Sequence, residues 1–303
     1  MNDRATNPTG APLYPIREVS RLTGVNSVTL RAWERRYGLI QPQRTPKGHR
    51  LYARDDIERI ERILHWLNRG VSVSQVGDLL EQPERTDETA ATDGDWSGQR
   101  QQVIAAIETL DLTRLEGLYN QSLALYPVDV CLERLWQPLV AQLDERWDGH
   151  LGDTLQRHML EAFLRTRIGT RLYHANAGAH GPQLLLAPAY EGSGTLWSLL
   201  FALAASQAGY RIVMMDTPLP YAELPLAIER LRLAAVVLAG SQPENDERLR
   251  CELPQLAEQL TVPLCLAGTV ARMHAAQLEG SPVTLLGDEP LSAANRMRSL
   301  LLY

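Results

Sequence analysis

The sequence predicts a multidomain chain. It has an all-α head with a helix-turn-helix and a basic hairpin, then a four-helix bundle, then an α/β domain built on a doubly wound parallel sheet. Three observations carry this. The first is a charge split. Residues 1–80 hold 13 Lys+Arg against 8 Asp+Glu, and the remainder holds 17 against 28, in a chain of net charge −6. A basic head on an acidic body suits a protein that meets a polyanion with one end only. The second is the stretch Val25–Tyr52, VNSVTLRAWERRYGLIQPQRTPKGHRLY, which reads as a helix, a short connection and an arginine-rich hairpin. The third is the change of period after Gly181, where short apolar runs alternate with helix-length segments.

A chain of 303 residues with 45% hydrophobic content has room for two or three domains with real cores. Cys131, Cys251 and Cys265 lie far apart, with no CxxC pair, so the pattern speaks against a disulfide framework or a structural zinc site. MNDRATNPTGAPLY lacks an apolar core of signal-peptide length, and the run Leu196–Ala205 is too short to span a bilayer. A cytoplasmic, nucleoid-associated protein with no membrane contact is the expectation. Lys47 is the sole lysine. Arginine offers forked donors to phosphate and guanine, although codon composition explains the bias equally well.

In order, residues 1–12 read as a disordered leader, and residues 13–82 as the head. Pro15 suits the first turn of a helix on which Ile16, Val19 and Leu22 recur at helical spacing, and Gly24 ends it. Asn26 or Ser27 caps the next helix, Val28, Leu30, Trp33 and Tyr37 supply its buried side, and Gly38 stops it. Ser27, Arg31 and Arg35 form one polar row, suited to a major groove, beside Thr29 and Arg36. Leu39–Gln43 is extended, and Thr45-Pro46-Lys47-Gly48 has type I turn preferences. Leu51 and Tyr52 then return as a strand, which sets Arg44, Lys47, His49 and Arg50 around a hairpin tip. The residues expected to contact DNA are therefore Ser27, Thr29, Arg31, Arg35, Arg36, Arg44, Lys47, His49, Arg50 and Tyr52. Asp55 caps a further helix, with Ile57, Ile60, Ile63, Leu64 and Leu67 as its apolar stripe, and a short helix follows over Val71–Leu80.

TLRAWERRYGL, RTPKGHRLY and IERILHWLNRGVSVSQV resemble the winged helix-turn-helix of the MerR family over about residues 13–82. The resemblance is strongest to the branch holding light- and cobalamin-responsive CarH/LitR repressors and MlrA-type activators. It implies a homodimer on double-stranded DNA with an inverted-repeat operator, and distortion of the promoter for RNA polymerase.

Residues 83–98 are polar and acidic and read as a linker. Residues 99–176 are helical throughout, in four amphipathic segments: one around Val103–Leu110, one around Leu115–Leu125, a long Val130–Trp147, and Leu151–Tyr173. Over residues 181–303, Gln183–Ala187, Arg211–Met215, Ala234–Ala239, Pro263–Ala267 and Val283–Leu286 read as strands. Thr195–Gln207, Tyr221–Arg232, Asp246–Leu260 and Pro290–Leu301 read as the helices between and after them. A bundle followed by such a sheet resembles the cobalamin-binding module of the same branch.

That module carries acid-x-His-x-x-Gly after its first strand, and its light sensors carry Trp, nine residues, then Glu-His. Here the first pattern reads Glu191-Gly192-Ser193-Gly194-Thr195-Leu196, and Trp147 leads to Arg157 and His158. A hydroxyl is a poor substitute for imidazole on cobalt. Cobalt ligation by histidine is therefore expected to be lost, with no cofactor and no metal expected and cobalamin binding without a protein ligand left open. Core packing accounts for Trp147 and a solvated helix face for His158. Ser241 and Gly268 end the third and fourth strands, where small residues serve a cofactor tail or a tight turn. Gly192-Ser-Gly194 with Asp216 approaches a dinucleotide fingerprint, but Trp197 stands at the third glycine position.

The expectation is a sequence-specific transcription regulator, an activator of the MlrA type, whose C-terminal region dimerises, binds a regulatory protein partner or takes a ligand other than cobalamin. The alternatives are a light- or cobalamin-responsive repressor and a sensor of cyclic di-GMP, a reading that no RxxxR or DxxD loop demands. A nucleotide- or cobalamin-dependent enzyme is remote, because no nucleophile–base pair is present.

Overall fold

The computed structural model describes residues 12–68, 71, 73–80, 94–241 and 247–301. The leader up to residue 11 and residues 83–93 of the expected linker lie outside them. The chain divides into two compact units, Met1–Leu135 and Trp136–Tyr303. The boundary falls inside the helical segment read from the sequence as one bundle.

In the first unit, strand β1 (Tyr14–Pro15) leads into α1 (Ile16–Thr23), so Pro15 sits at the N-cap rather than inside the helix. Gly24, at φ 73°, closes α1 and opens the tight turn to α2 (Ser27–Tyr37). Asn26 is the cap of α2: its Oδ1 accepts the N–H groups of Val28 and Thr29, each at 2.9 Å. Strands β2 (Gln43–Arg44) and β3 (Arg50–Tyr52) form the expected hairpin, with the Gly48 N–H on the Thr45 carbonyl at 2.8 Å. β1 pairs with β3 as well, so the wing has three strands in the order β1-β3-β2. In α3 (Arg54–Asn68) the capping carboxylate is Asp56 and not Asp55: Asp56 Oδ2 reaches back to the Ala53 N–H at 2.8 Å. Burial raises the Asp56 carboxyl above its usual range, against the lowering effect of that hydrogen bond. Helix α4 (Val73–Leu80) follows.

Helices α5 (Gly94–Glu108), α6 (Leu112–Leu125) and α7 (Val128–Cys131) complete this unit. α5 begins inside the segment read as linker. α2 packs along α6, and Trp33, fully buried, donates its indole N–H to the Leu125 carbonyl at 2.9 Å. Trp33→Phe keeps most of the packing but orphans that carbonyl. The expected loss is ~1–3 kcal/mol, read by denaturant unfolding.

The long helix expected over Val130–Trp147 is interrupted. One π-turn, Leu132–Trp136, separates α7 from α8 (Gln137–Arg146) and spans the boundary between the units. α9 (Asp153–Gly178) is the longest helix among the described residues. Strands β4 (Gln183–Pro188), β5 (Arg211–Met214), β6 (Ala235–Ala239), β7 (Leu264–Ala267) and β8 (Thr284–Gly287) form one parallel sheet in the order β5-β4-β6-β7-β8. Its helices are α10 (Leu196–Gln207), α11 (Leu224–Leu231), α12 (Glu247–Gln259), α13 (Thr269–Met273) and α14 (Pro290–Leu301). α13 was not anticipated, because five residues are too few to show a period. α10 is apolar on every side and buried along almost its whole length. The strand order reverses at β4, so the carboxyl ends of β4 and β6 flank the crevice where such sheets hold ligands.

Candidate DNA interface and strand-end cleft

The head presents one open face. In α2, Thr29, Leu30 and Trp33 are buried, while Val28, Arg31, Arg35 and Arg36 are exposed and Ser27 is half-buried. Val28, Arg31 and Arg35 stand at i, i+3 and i+7 and share a face. Val28 is thus 56% exposed and not part of the buried side expected for it. Thr29 and Tyr52, both expected at the DNA surface, are instead fully buried. Thr29 lies on the same arc as Leu30 and Trp33. Tyr52 sits on β3 facing the core, where burial first, then the nearby Glu34 carboxylate, pushes its phenol up to about 12.

A feature absent from the sequence reading organises the wing. Glu34, one turn along α2 from Leu30, takes Arg44 Nη2 on Oε1 at 2.6 Å and Arg50 Nε on Oε2. Burial raises the Glu34 carboxyl, but the hydrogen bonds from Arg50 and Arg44 outweigh it and hold it below the usual carboxylate range. Arg50 is drawn inward, with its side chain only 12% exposed, and ties β3 to α2 rather than standing free at the tip. Arg44, Lys47 and His49 remain exposed. The signal in the sequence was a single acid set among Arg31, Arg35 and Arg36 on a helix facing a basic hairpin.

The second unit carries a cleft of about 380 Å³ beside the carboxyl end of β4. Arg157, His158 and Glu161 of α9 line it, opposite Glu191, Ser193 and Thr195 of the loop after β4. Arg157 is its centre. The guanidinium pairs with Asp144 at 2.7 Å and with Glu161 at 3.7 Å, and lies 5.3 Å from the Trp147 ring centroid. Burial raises the Asp144 carboxyl, and the charge of Arg157 only partly offsets this. Glu161 Oε1 accepts the Thr195 N–H at 3.4 Å, and Arg165 pairs with Asp216 at 3.0 Å. The loop after β4 is thereby tied to α9 by a hydrogen bond and the loop after β5 by one ion pair. Trp147 is half-buried under Arg157 with its N–H on Gln156 at 3.2 Å, not the core residue expected, whereas His158 is on the solvated face as expected.

Ser193 is 2% exposed, and its Oγ has no protein partner. Its carbonyl accepts both the N–H and the hydroxyl of Ser241, each at 2.9 Å, so Ser241 is committed to holding this loop. Gly268 has φ 82°, and a Cβ there would strike the Gly240 carbonyl. A tight turn therefore accounts for its size. A Cβ on Gly240 would lie 2.8 Å from the Tyr190 ring, which is 5% exposed and fills the space at the end of β6. Trp197, at the third position of the dinucleotide-like pattern, is buried on Phe201 and donates to the Asp288 carbonyl at 2.6 Å. That leaves no room for a dinucleotide's close helix–strand approach.

Asp148 and His150 of the loop before α9 and Asp153, its first residue, bring ligand-type atoms within 4.8 Å of one another, a group the sequence reading did not single out. Asp153 Oδ2 accepts the N–H groups of Gly149 and His150, which accounts for the arrangement. Among the described residues no helix is long and apolar enough to cross a membrane.

The family model for MerR HTH regulatory proteins matches residues 14–83. The HTH-type transcriptional repressor CarH of Myxococcus xanthus is 28% identical over 276 residues, covering 88% of this chain and 92% of that protein. The HTH-type transcriptional regulator MlrA of Escherichia coli is 34% identical over 202 residues, covering 66% of this chain and 78% of that one. Among solved structures, the methanol:cobalamin methyltransferase complex MtaBC of Methanosarcina barkeri aligns at 12% identity, covering 72% of this chain and 86% of that one, with a TM-score of 0.36. That TM-score is too low to add weight.

Proposed function

The chain belongs to the MerR family of helix-turn-helix regulators, in the company of CarH and MlrA, and from that premise we propose a homodimeric transcription activator that reads an inverted repeat. It is a DNA-binding regulator, not an enzyme, with a cobalamin-binding-like sensor domain. The observation that carries the proposal is the open α2 face beside a wing clamped by Glu34. Arg31 and Arg35 are assigned to base edges, Arg36, Arg44, Lys47 and His49 to phosphates, and Ser27 to the groove edge. RNA polymerase is the partner at the promoter. Arg31→Ala or Arg35→Ala is expected to weaken operator binding more than binding to random duplex. Lys47→Ala weakens both and flattens the salt dependence. Equal losses on both DNAs for Arg31→Ala would remove its base-reading role. A genome-wide occupancy map paired with a deletion transcriptome tests the whole reading, and repression at occupied promoters would overturn the activator assignment.

Val28 adds a contact that the charged residues cannot make. Its exposed isopropyl group fits the 5-methyl of a thymine. Deoxyuridine in place of that thymine is expected to weaken wild-type binding about fourfold, the worth of one buried carbon at ~0.8 kcal/mol. Val28→Ser is expected to bind both duplexes alike.

For the sensor, we infer that cobalt ligation by histidine is gone. Ser193 stands where a ligand would, the Arg157 network occupies the α9 side of the cleft, and Tyr190 fills the end of β6. These residues do not fit a histidine-ligated corrinoid, so the region takes its signal from a protein partner or from a smaller polar ligand. The second reading, a cobalamin-responsive repressor, draws support from the similarity to CarH over 88% of the chain. A stably bound corrinoid in the purified protein would decide for it.

A further inference from the structure

α9 buries Leu160, Phe163, Leu164, Ile168 and Leu172. Its opposite side carries no charge over five turns. Leu155, Met159, Ala162, Thr166, Gly169 and Tyr173 recur there at alternating spacings of four and three residues. Leu155 is 58% exposed and Tyr173 is 76% exposed, and Ala162, Thr166 and Gly169 are exposed as well. In a chain with 22% charged residues, a solvent-facing helix side would ordinarily carry lysine, arginine or glutamate. The hydroxyls on this side are closed within the helix: Thr166 donates to the Ala162 carbonyl at 2.9 Å and Thr170 to the Thr166 carbonyl at 2.8 Å. A Cβ on Gly169 would meet nothing within 4 Å, so the chain's own packing gives no reason for glycine there. Mid-helix glycine costs about 0.5–1 kcal/mol relative to alanine, and close approach from outside the chain would offset it.

We propose that this side of α9 is an interface with a second copy of the same chain, in which two α9 helices pair antiparallel about a two-fold axis passing beside residue 164. The six positions are symmetric about that residue. Leu155 then faces Tyr173 of the second copy, Met159 faces Gly169, and Ala162 faces Thr166, so each bulky side chain between the ends meets a small one. Such self-complementarity is what an isologous contact requires. The stripe is roughly 27 Å long at 1.5 Å per residue. Pairing it buries roughly 1,000 Å² in total, at the threshold for a specific interface. The neighbouring cations do not oppose it, because Arg157 and Arg165 are paired within their own chain with Asp144, Glu161 and Asp216. A two-fold pair also has the symmetry of an inverted repeat. Dimerisation as such belongs to the proposed function; the surface and its register are what α9 adds, and their test uses no DNA.

The test uses the full-length chain. Light scattering after gel filtration is expected to give a dimer for the wild type. Ala162→Glu, an exposed position, keeps its helical circular dichroism and raises the dimer dissociation constant roughly a hundredfold. Adding Thr166→Lys to it restores the dimer, because the new charges face each other across the axis. Register is read by cross-linking in a Cys251→Ser background, since Cys131 and Cys265 are buried. Ala162→Cys with Thr166→Cys is expected to close intersubunit disulfides, and Ala162→Cys with Tyr173→Cys is not. A monomeric wild type overturns the proposal. So does a dimer indifferent to Ala162→Glu, which would leave dimerisation standing on another surface, and so does equal cross-linking of both cysteine pairs.

Discussion

Glu34→Ala is expected to destabilise the head by about 2–4 kcal/mol, the range for removing one partner of a largely buried ion pair once the exposed arginine is discounted. It should also abolish operator binding at concentrations where the wild type saturates. Glu34 is the one acid on α2, and its two oxygens hold an arginine from each strand of the hairpin. Without it, Arg50 is left as a largely buried cation whose Nη2 already has no partner, and the wing loses its only described ion pairs to α2. DNA affinity falls because wing and helix no longer present their cations in one register, even though neither loses a DNA-facing residue. Denaturant unfolding of the full chain and a gel-shift titration measure the two effects. A variant that unfolds like wild type would show that the clamp contributes nothing.

Glu34→Gln separates charge from shape. The carboxyl is held below its unfolded value, so its contribution is fully present above the ordinary glutamate range and is lost as pH falls through the lowered folded value. The stability gap between wild type and Glu34→Gln is therefore expected to be constant at neutral pH and to close in acid. A gap that widens on acidification would reverse the assigned sign.

How far the sequence foretold this depends on the length scale of each signal. α2, the hairpin and the five strands carry local signatures: Gly24 and Gly38 as stops, a Thr-Pro-Lys-Gly turn, and apolar runs between turns. All were legible. Thr29 and Tyr52 were misplaced because polar side chains were assigned outward by type, whereas the helical arc of Leu30 and Trp33 and the inward face of β3 bury them. Val28 was misplaced for the mirror reason. Glu34 was passed over because its partners lie 10 and 16 residues away and meet it only once the wing folds back. In the second unit, Ser193 at the position where the resemblance implies histidine was read directly from the sequence, and it lies buried in the loop after β4. The role of Arg157 was not, because an arginine in a helix says nothing of Asp144, Trp147 and Glu161 until α8 and α9 stand side by side.

Adenosylcobalamin mixed with the purified chain in the dark is expected to separate completely on gel filtration, leaving a colourless protein. Three groups oppose the cofactor rather than one. Ser193 offers a hydroxyl, buried and unpartnered, where imidazole would coordinate cobalt. Arg157 is fixed by Asp144 and Glu161 above the same loop, and Glu161 also holds the Thr195 N–H, so the α9 side of the cleft is joined to the strand ends. Tyr190 fills the space beside Gly240. Because the three act independently, Ser193→His alone is expected to remain colourless, and retention of the corrinoid is expected only when Arg157→Glu and Tyr190→Gly accompany it. If Ser193→His alone turns the protein red, the cleft is still shaped for the cofactor and a single side chain separates this regulator from a cobalamin sensor. If the wild type itself is red, the sensor reading falls while the DNA-reading head and its Glu34 clamp stand.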